Sequence, residues 1–94
     1  MQIRWSPAAA DDFSHIIEYI RRDNPQVAQR VARTIYESAS SLTHFPRKGR
    51  AGRVEGTREL VLPSLPFIVV YRIVQDAVEI VNVIHGAQRY PPAS

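Results

Sequence analysis

The sequence predicts an α+β domain in the order β-α-α-β-β-β, with an N-terminal strand and a helical hairpin packed on a small, mainly antiparallel sheet. Two stretches of helical apolar spacing, Phe13–Ile20 and Val27–Leu42, follow one another across a proline-marked break. Three β-branched and aromatic segments at short intervals then fill the second half of the chain. The 94 residues, 45% hydrophobic and 22% charged, fit one ordinary globular domain, residues 1–94.

Each element has a local cause. In Gln2–Ser6 ("QIRWS"), Ile3 and Trp5 alternate with Gln2 and Arg4, the pattern of a half-buried strand. Ser6 suits a helix N-cap and Pro7 the first helical position. Phe13, Ile16, Ile17 and Ile20 then make one apolar face. Asp11 and Asp12 lie early in this helix, where its dipole favours negative charge, and Arg21 and Arg22 lie in its last turn. Asn24 and Pro25 repeat the cap-and-proline signal. Val27, Val31, Ile35, Ala39 and Leu42 form the stripe of a second helix, with Ala28 and Ala32 allowing close approach and Arg30, Arg33 and Glu37 pointing away. The short connection makes the two helices antiparallel neighbours.

Pro46–Gly56 ("PRKGRAGRVEG") reads as a basic loop. Thr57–Leu62 resumes alternation, "PSLP" is a turn, and Phe67–Val74 ("FIVVYRIV") is apolar on both faces, as a central strand is. Ala77–His85 follows after a tight Gln75–Asp76 turn and should pair with it as a hairpin. The tail "PPAS" is short and polar enough to be loose. Burying both apolar stripes requires one side of the sheet to cover the helices. The other side, the basic loop and the tail remain for function.

Composition narrows the function class. The chain has no cysteine, so disulfide and thiolate chemistry are excluded. "QIRW" after Met1 is not a signal-peptide pattern, and no apolar run reaches the roughly 18 residues of a membrane span. A soluble, cytoplasmic protein without membrane contact is expected. The formal charge is +3, and eleven of the twelve cations are arginine, which pairs with carboxylates and phosphates alike. His15 and His44 have no neighbours at metal-ligand spacing, so neither a metal nor any other cofactor is expected.

Two constellations carry possible chemistry. Arg47, Lys48, Arg50, Arg53 and Arg58 place five cations in twelve residues among glycines, which suits contact with phosphate or an acidic peptide. At the end of the last strand, His85, Arg89 and Tyr90 would suit metal-free cleavage of an RNA backbone: a proton carrier, an anion stabiliser and a stacking ring. A strand-end histidine is more often a hydrogen-bonding residue, and Tyr90 before two prolines suits packing the tail down. Arg72, a cation in an apolar strand, is expected to form a cross-strand ion pair with Glu79.

The series "FPRKGR…GTREL", "VVYRI", "VEIV" and "HGAQR" resembles the C-terminal half of the RelE/ParE toxins of type II toxin–antitoxin modules. "IRWSPAAADDFSHIIEYI" resembles the family's opening strand and helix, so the resemblance covers nearly the whole chain. RelE-like members cut mRNA in the ribosomal A site and carry an arginine just before the "VVY" position, which here is Ile68. ParE-like members inhibit DNA gyrase, and His85-Gly86 resembles their common ending. The resemblance therefore implies a ParE-like toxin of the plasmid-stabilisation kind, a gyrase-binding protein rather than an enzyme. The alternative is a ribosome-dependent mRNA interferase using His85, Arg89 and Tyr90. Target contact would fall on Arg47, Lys48, Arg50, Arg53, Arg58, His85, Arg89 and Tyr90. Either branch implies a cognate antitoxin, with Arg21, Arg22, Arg30 and Arg33 around its docking surface and operator DNA reached only through it.

Overall fold

The computed structural model describes residues 1–92; Ala93 and Ser94, half of the expected loose tail, lie outside the described residues. The elements are β1 (Gln2–Trp5), α1 (Pro7–Asp23), α2 (Pro25–Ser40), β2 (Arg50–Ala51), β3 (Arg58–Val61), β4 (Phe67–Val74) and β5 (Ala77–His85), with a 3-10 turn over Ser41–Thr43. The architecture is the expected α+β arrangement. One element is added: a two-residue strand, β2, inside the segment expected to be loop. It pairs with β3 because Arg50 lies opposite Glu59 and Ala51 opposite Arg58. The sheet therefore has five strands in the order β1-β5-β4-β3-β2, antiparallel except for the parallel β1–β5 pair.

The caps form as their residue types require. The Ser6 hydroxyl accepts from the Ala9 amide at 3.0 Å and donates to the Val81 carbonyl at 3.0 Å, which ties the start of α1 to β5. The Asn24 side chain accepts from the Val27 amide at 3.1 Å. Val31, Ile35, Ala39 and Leu42 are buried against Val69, Tyr71, Val78, Ile80 and Val83. This is the main core, between the helical hairpin and one face of the sheet. Between β4 and β5 the register shifts: Val70 pairs with Asn82 and Tyr71 with Ile80, leaving Val81 as a bulge. The extra residue lets both Ile80 and Val83 face the helices, which strict alternation would forbid.

Asp12 has a different role from the expected one. It lies beyond the first turn of α1, where the dipole is weak. Its carboxylate instead accepts from the Val83 amide and from Asn82 Nδ2, both at 2.9 Å. β1 pairs with β5 only as far as Ile80, so Asp12 satisfies a backbone donor that the short edge strand leaves free. Arg72 and Glu79 are directly opposite in register and meet at 2.6 Å, the expected cross-strand pair. No described helix is long and apolar enough to cross a membrane.

Candidate functional site

The second sheet face carries a smaller apolar cluster, Ile68, Val70 and Ile84, with Val81 and the Tyr90 ring packed on it. The C-terminal segment thus folds back over the face expected to stand open. The Tyr90 hydroxyl donates to Asn82 Oδ1 at 2.9 Å, and Asn82 Nδ2 donates to Asp12, so a polar chain runs from the tail to α1. Burial, then the charges of Asp12 and Glu59, push the Tyr90 hydroxyl above its ordinary value. A depression beside this ring is lined by Arg72, Glu55, Glu79, Asn82 and Tyr90 among others. Its one cation faces two carboxylates.

His85 and Arg89 are exposed at the end of β5. His85 Nδ1 accepts from the Ala87 amide at 3.0 Å, and its ring stands edge-on to Phe67 at 5.8 Å. That contact holds the ring in a local turn at the end of β5. Arg89 has no ion-pair partner among the described residues. The trio read from the sequence is therefore split: His85 is in a local turn, Tyr90 is packed down, and Arg89 is exposed without an ion-pair partner among the described residues. A groove beside His85 is lined by His15, Ile16, Tyr19 and Phe67.

The basic stretch is also divided. Glu59, only 1% exposed, is its hub. Its carboxylate accepts from Arg50 Nη2 at 3.1 Å and the Arg53 amide at 3.0 Å, and Arg53 Nε lies 3.5 Å away. Burial alone would raise the Glu59 carboxyl. The Arg53 amide, the Arg50 guanidinium and the charges of both arginines outweigh it, so the group sits below the usual carboxylate range. Arg58 Nη1 donates to the carbonyls of Gly49 (2.8 Å) and Arg47 (3.3 Å). The Tyr71 hydroxyl, rising from the main core, donates to the Pro46 carbonyl at 2.7 Å and accepts from the Gly49 amide at 2.8 Å. A Cβ at Gly49 would sit 2.7 Å from that hydroxyl, so the close approach requires glycine. Arg50, Arg53 and Arg58 therefore build the loop, while Arg47 and Lys48 form no ion pair among the described residues. Charge count alone did not separate these two groups; the alternation placing Glu59 on the face away from Leu60 on β3 was the available signal.

Arg21, Arg22, Arg30 and Arg33 are exposed on the helical hairpin. Arg21 is engaged by Glu18 at 2.8 Å, a contact that holds the Glu18 carboxyl below its ordinary value. Among the described residues no group of three His, Cys, Asp or Glu side chains is placed to hold a metal ion.

Residues 3–90 match the family described as the ParE toxin of the type II toxin–antitoxin system parDE. The protein Y4kP of Sinorhizobium fredii is 42% identical over 90 residues, covering 96% of this chain and 93% of its own length. Toxin RelE2 of Caulobacter vibrioides is 33% identical over 87 residues, covering 93% and 97%. Among solved structures, a chain of the chromosomal ParDE system from P. aeruginosa superposes with a TM-score of 0.82 at 25% identity, over 90% of this chain and 95% of that one.

Proposed function

Because this chain belongs to the ParE toxin family of type II toxin–antitoxin systems, we propose that it arrests growth by binding DNA gyrase and that a cognate antitoxin neutralises it. The observation that carries the choice of target is the second sheet face. Ile68 stands where the nuclease branch is expected to place an arginine, and it is buried, with Tyr90 packed on its cluster. A transferring phosphate there would meet Arg72 already paired with Glu79, and Glu55 beside it. Cleavage by electrostatic stabilisation needs donors aimed at the developing charge, and the cation that lines the depression beside Tyr90, Arg72, is already taken by Glu79.

The antitoxin partner is supported by the ParDE structure that this chain superposes on. Arg22, Arg30 and Arg33 on the hairpin are exposed and suit pairing with acidic side chains of such a partner. The process is cytoplasmic and uses no cofactor. The mRNA-interferase alternative is favoured by one specific observation, the relative named RelE2 at 33% identity. A supercoiling assay with purified protein separates the two. Inhibition at stoichiometric amounts, reversed by the antitoxin, supports the gyrase reading. Undisturbed supercoiling with codon-linked cuts in cellular mRNA supports the alternative.

A further inference from the structure

The end of the α2–β2 connection has features that the basic character of the stretch does not explain. Phe45 is 64% exposed, and the His44 ring stands edge-on to it at 6.4 Å. Phe45, Pro46 and the stems of Arg47 and Lys48 line a shallow, almost wholly apolar depression. The backbone beneath is pinned at several points. The Phe45 amide donates to the Ser41 carbonyl at 3.1 Å, the Lys48 amide to the Phe45 carbonyl at 3.1 Å, and Tyr71 and Arg58 hold Pro46, Arg47 and Gly49 from below. A solvated loop does not require a core tyrosine, a buried glutamate and a glycine with no space for a side chain. A rigid tip that must present an aromatic ring beside two cations without an ion-pair partner among the described residues does, because preorganisation removes the ordering cost of binding.

Arginine and aromatic side chains at a desolvated centre are the composition of an interface anchor. Charge complementarity selects an acidic partner, and the apolar lining selects a protein over a phosphate backbone. Two free cations would neutralise only about two phosphates, a weak hold on nucleic acid. Position separates the tip from Arg21 and Arg22, while Arg30 and Arg33, the other antitoxin candidates, lie on α2 between them. α2 has 16 residues, about 24 Å at the usual helical rise. Arg21 and Arg22 lie at the hairpin turn, before the start of α2, whereas the tip lies beyond its other end.

We infer that residues 44–48 are the anchor by which this toxin docks on its target protein, with Phe45 entering an apolar pocket whose rim is acidic and Arg47 and Lys48 pairing with that rim. The inference rests on the target being a protein, as the gyrase reading holds. Phe45→Ala and the double variant Arg47→Glu, Lys48→Glu are compared with the wild-type chain. Growth arrest on induction, inhibition of gyrase supercoiling, antitoxin affinity and thermal melting are measured for each. The expected result is a loss of potency of roughly tenfold or more in each variant, with growth arrest relieved and antitoxin affinity and melting within error of wild type. Unchanged potency in both variants overturns the inference. So does an equal fall in antitoxin affinity, which would make the tip part of the antitoxin site. Duplex-DNA binding by the wild-type chain that disappears in the charge-reversal variant would assign the tip to nucleic acid and also overturns it. If wild type arrests growth without inhibiting gyrase, the gyrase reading fails, and relief of arrest in the variants still tests the tip.

Discussion

Replacing Glu59 with glutamine tests whether a buried carboxylate organises the basic stretch. Glu59→Gln keeps the shape and removes the charge. The amide oxygen can still accept from the Arg53 amide, now 3.0 Å from the carboxylate. That bond falls from the charge-assisted range of roughly 1.5–3 kcal/mol to the neutral range of about 0.5–1.5. The guanidinium contacts add less, because Arg50 and Arg53 are 56% and 35% exposed and water recovers much of their pairing. A total near 2 kcal/mol follows, far below the roughly 3–5 kcal/mol of a fully buried broken pair. In a domain of this size that lowers Tm by about 8–16 °C. The pH dependence gives a second readout. The folded Glu59 carboxyl is held below its unfolded value, so its stabilisation is present above about pH 4.3 and is lost as pH falls through the folded value. Melting of wild type and variant from pH 7 to pH 3 should show a gap that narrows on acidification. Equal melting at pH 7, or a gap that does not narrow as pH falls below about 4.3, would refute the assignment of Glu59 as an ionised hub.

Gly49→Ala should destabilise by roughly 1–3 kcal/mol in thermal melts, because its Cβ would lie 2.7 Å from the Tyr71 hydroxyl and 2.9 Å from the Glu59 carbonyl. Adding Tyr71→Phe should cost less than the sum of the two single changes, since the clash and the lost bonds share that hydroxyl. Asp12→Ala leaves the Val83 amide unpaired and should lower stability by about 1.5–3 kcal/mol, with faster hydrogen exchange at Val83 as the local readout. The Tyr90 hydroxyl should ionise above its ordinary value of 10.0 in an absorbance titration. Its contribution is full below about pH 10 and falls as pH rises through the folded value, a loss that Tyr90→Phe should abolish.

The parts of the fold set by nearby residues were legible in the sequence. The Val27–Val31–Ile35–Ala39 stripe, the Ser6-Pro7 and Asn24-Pro25 caps and the Gln75–Asp76 turn each depend on neighbours within a few positions. Even the Arg72–Glu79 pair is local once the turn is placed. What escaped was decided by contacts between distant segments. Asp12 has the composition of a helix-dipole residue, yet its partners lie 70 and 71 positions away. The β2 strand is only two residues long and exists because Glu59 collects Arg50 and Arg53 across it. The same contacts divide five similar cations into three that build the loop and two left free, a distinction that charge patterning does not contain. At the C-terminus, the proximity of His85, Arg89 and Tyr90 in sequence suggested a shared site. The return of Tyr90 onto Ile68, Val70 and Ile84 gives them separate environments.

The most direct test of the account is gyrase supercoiling by purified enzyme, titrated with this protein alone and then with its antitoxin. Inhibition near stoichiometry that the antitoxin reverses is expected, retained when His85 is replaced by glutamine. Full supercoiling at large excess of a protein that still arrests growth, together with cuts in mRNA that vanish in the His85→Gln variant, would contradict it.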